Sequence, residues 1–325
     1  MIWFATNRNP NRVKDPDDFT KEFNRAAVDN LRFGRAHRSS EGTVTVEVEP
    51  ETLSTDVDKQ VYGSRAVFDE LKAAMTSGSD TLVFIHGYNV TFHEALASGF
   101  ALHETYGSAR PLNVVVFTWP SDGSMMPLLA YRDDRTDARL SAPAFARALA
   151  KLNDLLNEIG RHDACGGCIH LMCHSMGNYV LRCGIQDVIR TLGGLPRLFD
   201  QIFLMAADED HDAFEHDYKL KPLPELGRAV HIYFNRGDTA LVISDKTKSN
   251  PTRLGTSGPR APLAVPGNVD IIDCSEVVTG LIEHDYYLTD EQVVRDVKAV
   301  LAGKPADLIE GRRYMASQNK YVLRR

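Results

Sequence analysis

At 325 residues the chain is long enough for one large domain or about two ordinary ones. Its 43% apolar and 25% charged residues are ordinary for a globular protein and exclude whole-chain disorder, collagen or coiled coil. A net charge of −7 argues against a basic face that wraps nucleic acid, and no apolar run approaches the roughly 20 residues of a membrane span. The opening MIWFATNRNP lacks the apolar core of a secretory signal. Five cysteines (Cys165, Cys168, Cys173, Cys183, Cys274) are too few, and odd in number, for a disulfide framework. A reducing, cytoplasmic setting is expected.

In chain order, Ile2–Thr6 reads as a short strand, followed by a stretch rich in Asp and Arg and by an alternating, half-exposed Thr43–Glu49. Residues 1–60 are therefore expected to form edge strands and a loop of the same domain, an antiparallel N-terminal edge. From 61 to 303, short apolar runs alternate with helical spacing, the pattern of a mostly parallel central sheet with helices on both faces. Strands are predicted at Thr81–Ile85, Val114–Thr118, Cys168–Met172, Gln201–Met205, Val230–Phe234 and Val269–Asp273. Helices are predicted at Arg65–Met75, Phe92–Tyr106, Ala144–Ile159, Asn178–Leu192 and Glu291–Leu301. Phe145, Leu149, Leu152 and Leu156 lay one apolar stripe along the third of these. Lys246–Asn268, rich in Gly, Pro, Ser and Thr, reads as a surface excursion, and 304–325 as a basic C-terminal tail, solvated or docked.

Chemistry concentrates where CIHLMCHSMGNYVLRCGI runs from an apolar strand through Ser175 straight into a helix. So tight a strand-to-helix turn needs small residues two before and two after the serine, here Cys173 and Gly177; it presents the hydroxyl as a nucleophile. A serine that merely caps a helix is the plainer alternative. Upstream, TLVFIHGYNVTF ends a strand at His86 and turns at Gly87, so the backbone N–H groups of Tyr88 and Met176 are candidates for an oxyanion hole. A hydroxyl also needs an acid and a histidine, in the order Ser, Asp or Glu, His. Asp238, just past the strand Val230–Phe234, is the preferred acid, with Asp208 and Asp210 as rivals. His284 is the only histidine after Asp238 and is the expected base; His211 and His216 are weaker competitors. Gly87, Asn89, Phe92, Trp119 and His174 are candidate pocket residues, and Tyr131, Asp133 and Arg135 read as a structural polar group. Cys165 and Cys168 have a metal or redox spacing but lack the second ligand pair or the helix such a site needs.

Taken together, FIHGYNVTFHEAL, VVVFTWPSDGS, AYRDDRTDARLSA, HSMGNYVL, MAADED, NRGDTALVIS, RLG and HDYYL follow in an order that resembles the α/β-hydrolase superfamily. The resemblance is to a bacterial serine-hydrolase, esterase- or lipase-like branch catalogued as a domain of unknown function, and covers roughly residues 60–300. It implies an α/β-hydrolase fold with Ser175 as nucleophile, Asp238 as acid and His284 as base. Cys173, where many such hydrolases carry glycine, and Asp285, where serine is more usual, depart from it. The expected activity is hydrolysis of carboxylic esters of small to medium acyl groups through an acyl-enzyme, with a small-molecule ester and water as partners, no nucleic acid, and no cofactor or metal. Tyr88, Phe92, Trp119 and Met176 suggest a moderately hydrophobic acyl site, and the lack of a large insertion argues against a lipase lid. Thioester or amide cleavage by the same residues, or a non-catalytic binding module on this fold, are the alternatives.

Overall fold

The protein is described by a computed structural model covering residues 1–12, 14–23, 31–51, 56, 61–108, 110–121, 127–160, 167–241, 252–280 and 284–325, with the side chains of 127–132, 159 and 160 excepted. Its strands are β1 (Ile2–Thr6), β2 (Arg8–Pro10), β3 (Phe19–Phe23), β4 (Arg32–Arg38), β5 (Val44–Val48), β6 (Asp80–Ile85), β7 (Leu112–Thr118), β8 (Ile169–His174), β9 (Phe199–Met205), β10 (Gly227–Phe234), β11 (Val269–Asp273), β12 (Arg312–Met315) and β13 (Lys320–Leu323). The longer helices are α1 (Gly63–Thr76), α2 (Phe92–Tyr106), α3 (Pro127–Leu140), α4 (Ala142–Gly160) and α5 (Gly177–Leu192), followed by Glu291–Leu301.

One sheet runs in the order β12-β13-β11-β10-β9-β8-β6-β7-β1-β4-β5, while β2 and β3 pair separately. From β11 to β1 every neighbouring pair is parallel. Period-2 alternation sends Leu171, Cys173, Ile202 and Leu204 to one face, where they join residues of α1, α4 and α5. Met172, Phe203 and Met205 go to the other, against α2 and Glu291–Leu301. Both faces are covered, as apolar parallel strands require. Helix α2 starts where the sequence says it should because Thr91 and Glu94 form a reciprocal capping box. Among the described residues no helix is long and apolar enough to cross a membrane.

The six central strands and five helices form at or within a few residues of their predicted positions. The antiparallel edge also forms, as β1 pairs with β4 and β4 with β5, but β1 itself is parallel to β7 and lies inside the sheet. Strand β4 lay hidden in the Arg-rich stretch: Phe33 is buried on one face of the sheet and Ala36 on the other, while Arg35 pairs with Glu70 and Glu49. The basic tail is an edge hairpin whose β13 pairs with β11. Two of its charges are internal, Arg312 meeting Asp296 at 2.7 Å and Lys320 meeting Asp273 at 2.9 Å, while Arg313, Arg324 and Arg325 are exposed. Residues 246–251 of the expected excursion, and Cys165, lie outside the described residues. The remainder of that excursion is not all surface, since Arg253, Leu254, Gly255 and Thr256 are buried in a short turn of helix Leu254–Ser257.

Candidate active site

Only Ser175 and Met176 separate the end of β8 from the start of α5. Ser175 is held at φ 51°, in the left-handed region, which a non-glycine residue occupies only when its surroundings over-determine it. Those surroundings are its backbone bonds: its N–H donates to Met205 O at 3.0 Å, and its carbonyl accepts from Asp208 N–H at 3.1 Å and from Asn178 Nδ2 at 3.0 Å. Asn178 Nδ2 also reaches Cys173 O at 3.2 Å, tying both sides of the turn. Gly177 sits so close to β6 that a Cβ there would lie 2.5 Å from Ile85 O. Cys173 is fully buried, and burial pushes its thiol well above its usual range, so it fills space as a neutral group.

Asp238 follows β10 in a turn closed by Asn235, whose Oδ1 accepts the Gly237 N–H at 2.9 Å. The carboxylate is buried; Oδ1 accepts from Leu241 N–H at 3.2 Å, and Oδ2 lies 2.7 Å from Nδ1 of His284. Burial alone would depress the imidazole, but the hydrogen bond and charge of Asp238, with Asp285 and Asp208 behind it, raise it above its ordinary value. With the Nδ1–H given to the carboxylate, Nε2 carries the lone pair. The rivals are engaged elsewhere. Asp208 pairs with Arg253 at 3.1 Å, Asp210 bonds Arg253 at 2.7 Å and Lys219 at 2.9 Å, and His216 bonds Asp212.

The segment bearing His284 is anchored from beneath. The Tyr286 hydroxyl accepts from Ala206 N–H at 3.0 Å and donates to Tyr233 O at 2.9 Å, linking it to the ends of β9 and β10. The Tyr106 hydroxyl donates to Tyr287 O. His174 packs its ring 4.6 Å from that of His284, with Nε2 3.3 Å from His284 O and 3.4 Å from Asp285 Oδ1. Burial, aided by the neighbouring His284, holds His174 well below the usual imidazole range, so its neutral Nε2–H donates to that carbonyl. Tyr286→Phe is expected to leave the buried Ala206 N–H without its acceptor and to cost about 2 kcal/mol, read by denaturant unfolding. A loss under about 0.5 kcal/mol would contradict the anchoring role.

On the other side, β6 ends at Ile85 and turns through Gly87, whose Cβ, if it had one, would lie 2.8 Å from Ser175 Cβ. His86 stacks on Trp119, ring centroids 5.3 Å apart and planes within 5°. Burial, followed by the charge of Arg8, lowers His86 to about 3, so it is neutral. It accepts the Trp119 N–H at Nε2 (3.2 Å) and its Nδ1 meets Gly87 O at 2.9 Å, while the Trp119 indole donates to His86 O at 3.0 Å. Asn89 is exposed, at φ 58°.

Trp119 and Phe92 therefore do not line an open pocket. Trp119 is 0% exposed beneath the loop, and Phe92, 2% exposed, lies in a ring cluster with Phe4 and Phe19. Met176 is also fully buried, which leaves Tyr88, partly exposed, as the one of the four residues named for acyl contact that solvent reaches. Sequence reading passed over Asp134, a fully buried carboxylate on α3 that bonds the Gly87 loop, and Arg253, which neutralises Asp208. Both lie inside quoted segments, but a charge within a charged or Gly-rich stretch gives no sign that it is buried. Of the polar group expected beside Asp134, Asp133 is exposed, Arg135 lies 3.8 Å over the Tyr179 ring, and the Tyr131 side chain is outside the described residues. Among the described residues no group of three or more His, Cys, Asp or Glu is arranged to hold a metal ion.

Residues 65–304 match the family described as alpha/beta hydrolase of unknown function (DUF900). An uncharacterised protein of Nostoc sp. (strain PCC 7120), alr1448, is 25% identical over 215 residues, 50% of this chain and 53% of that protein. The chain thus spans about half the length of that relative. The crystal structure of Aspergillus fumigatus lipase B overlaps 70% of this chain and 53% of its own, at a TM-score of 0.44 and 10% identity, a likeness too slight to bear on function.

Proposed function

This chain belongs to the α/β-hydrolase family of unknown function whose pattern spans residues 65–304, and from that premise we propose that it is a serine hydrolase of small to medium carboxylic esters. The observation that carries the proposal is the 2.7 Å bond from His284 Nδ1 to the buried Asp238, in a chain whose elbow residue is the serine at φ 51°. Ser175 Oγ attacks the ester carbonyl while His284 Nε2 takes its proton; Asp238 fixes the tautomer and stabilises the imidazolium. Backbone N–H groups of Tyr88 and Met176 bind the oxyanion, each donor worth about 3 kcal/mol to the transition state. The imidazolium then protonates the leaving alkoxide. Water, deprotonated by the same nitrogen, attacks the acyl-enzyme and releases the acid, restoring the serine. No cofactor or metal enters. The described cysteines Cys168, Cys173, Cys183 and Cys274 are free, which suits a reducing cytoplasm.

Exposure to a fluorophosphonate, read by intact mass, tests the nucleophile without requiring the right substrate. Wild type is expected to gain one adduct and Ser175→Ala none. A panel of p-nitrophenyl esters should then turn over fastest with short acyl chains. A folded wild type that takes no label would retire the hydrolase reading in favour of a binding module on this fold.

A further inference from the structure

We propose that Asp134, acting with Ser121, is the positioning residue that sets the loop carrying the Tyr88 amide and thereby the strength of oxyanion binding; this rests on the serine-hydrolase reading above. Asp134 is 0% exposed, although it sits on α3, a helix otherwise rich in charge. A buried carboxylate is costly unless it gathers donors. Its Oδ2 accepts from the Ser121 hydroxyl at 2.6 Å and from Asn89 N–H at 3.2 Å. The Ser121 oxygen in turn accepts from Val90 N–H at 3.3 Å. Two successive amides of the loop therefore hang from one carboxylate and its bound hydroxyl. The Val90 carbonyl is taken from the opposite side by the buried guanidinium of Arg8, at 2.6 Å.

Between these clamps Asn89 keeps φ 58°, a left-handed conformation that asparagine tolerates and that the two clamps hold in one place. Tyr88 is the next residue upstream. Burial raises its phenol above the usual value and the charge of Asp134 adds to that, so the carboxylate bears on Tyr88 as well. A hydrogen-bond donor stabilises the transition state only where the oxyanion will be, and a loop released by a few tenths of an ångström aims its amide elsewhere. Ground-state binding of a neutral ester draws little on that donor. The loss belongs in kcat, not KM.

The test counts competent sites first, by fluorophosphonate titration of wild type, Asp134→Ala, Asp134→Asn and Ser121→Ala, and then expresses p-nitrophenyl butyrate turnover per labelled site. Asp134→Ala is expected to lose about 30-fold in per-site kcat, and Ser121→Ala about 10-fold, with KM within about two-fold of wild type. Affinity for an alkylboronic acid, which mimics the tetrahedral state, should fall by the same factors. Asp134→Asn, whose amide oxygen still accepts, should recover most of the loss. Fewer labelled sites with unchanged per-site kcat would mean that Asp134 only supports the fold, and would overturn the proposal while leaving the hydrolase reading intact. If Asp134→Ala does not fold, Ser121→Ala carries the same decision, because it removes one hydroxyl. A wild type that neither labels nor turns over ester fails the parent reading, and the positioning role falls with it.

Discussion

Asp238→Asn is expected to lower kcat by about 10⁴-fold in an enzyme that still folds. The amide keeps the size of the carboxylate and can still meet His284 Nδ1, but it offers either an N–H or a neutral oxygen where the structure has an anion 2.7 Å away. Two things are lost together: the preference for the tautomer with its lone pair on Nε2, and the charge that stabilises the imidazolium. The pH profile separates them. His284 acts as a base only when neutral, so kcat/KM rises as pH passes its pKa, which burial would lower but Asp238, Asp285 and Asp208 hold above the ordinary imidazole value. In wild type the acid limb should therefore lie above about pH 6.5. In Asp238→Asn the limb moves to lower pH and the plateau drops. Asp285→Asn, removing an exposed charge that acts on His284 less than Asp238 does, should move the limb in the same direction by less, with its plateau retained. An Asp238→Asn enzyme within about ten-fold of wild type would shift the acid role toward Asp208.

The sequence made the sheet legible where burial on both faces left no choice of residue. β7 reads LNVVVFT and β9 reads FDQIFLM, and no polar face is needed because helices cover both sides. It concealed strands and helices whose charges are satisfied internally. Arg312 looks like a tail residue until Asp296 and Asp270 are seen around it, and the stretch of α3 reads as a structural polar group around Asp133 and Arg135 with no sign that Asp134 is the buried member. Pattern reading assigns charge to water by default, and only the tertiary partner reverses that assignment. The juxtaposition of Asp238 and His284 was legible for a different reason, since chain order and strand ends limit which groups can meet at one edge of a parallel sheet. What chain order could not supply was the pairing of Asp208 and Asp210 with one buried guanidinium. Arg253 binds both, from a segment that composition marks as loop.

Gly177→Ala is expected to destabilise the protein by about 3 kcal/mol, against the usual sign for such a change. In an ordinary helix position, glycine to alanine gains about 1 kcal/mol because the unfolded chain loses freedom. Gly177 is the first residue of α5, and here a Cβ would stand 2.5 Å from Ile85 O and 2.7 Å from His86 O. Both are backbone atoms of β6 and the turn that follows it, so no rotamer can relieve the contact; the helix or the strand end must move. Either movement separates Ser175 from the Gly87 loop, whose own Cα already faces Ser175 Cβ closely enough to exclude a methyl group. The overlap outweighs the propensity gain, and the melting temperature should fall by about 5 °C or more. Gly194→Ala is the control: a Cβ there meets nothing within 4 Å, so its stability should hold or rise slightly. A Gly177→Ala protein as stable as that control would mean that α5 can retreat from β6 without cost, and the tight elbow would not be what fixes the serine.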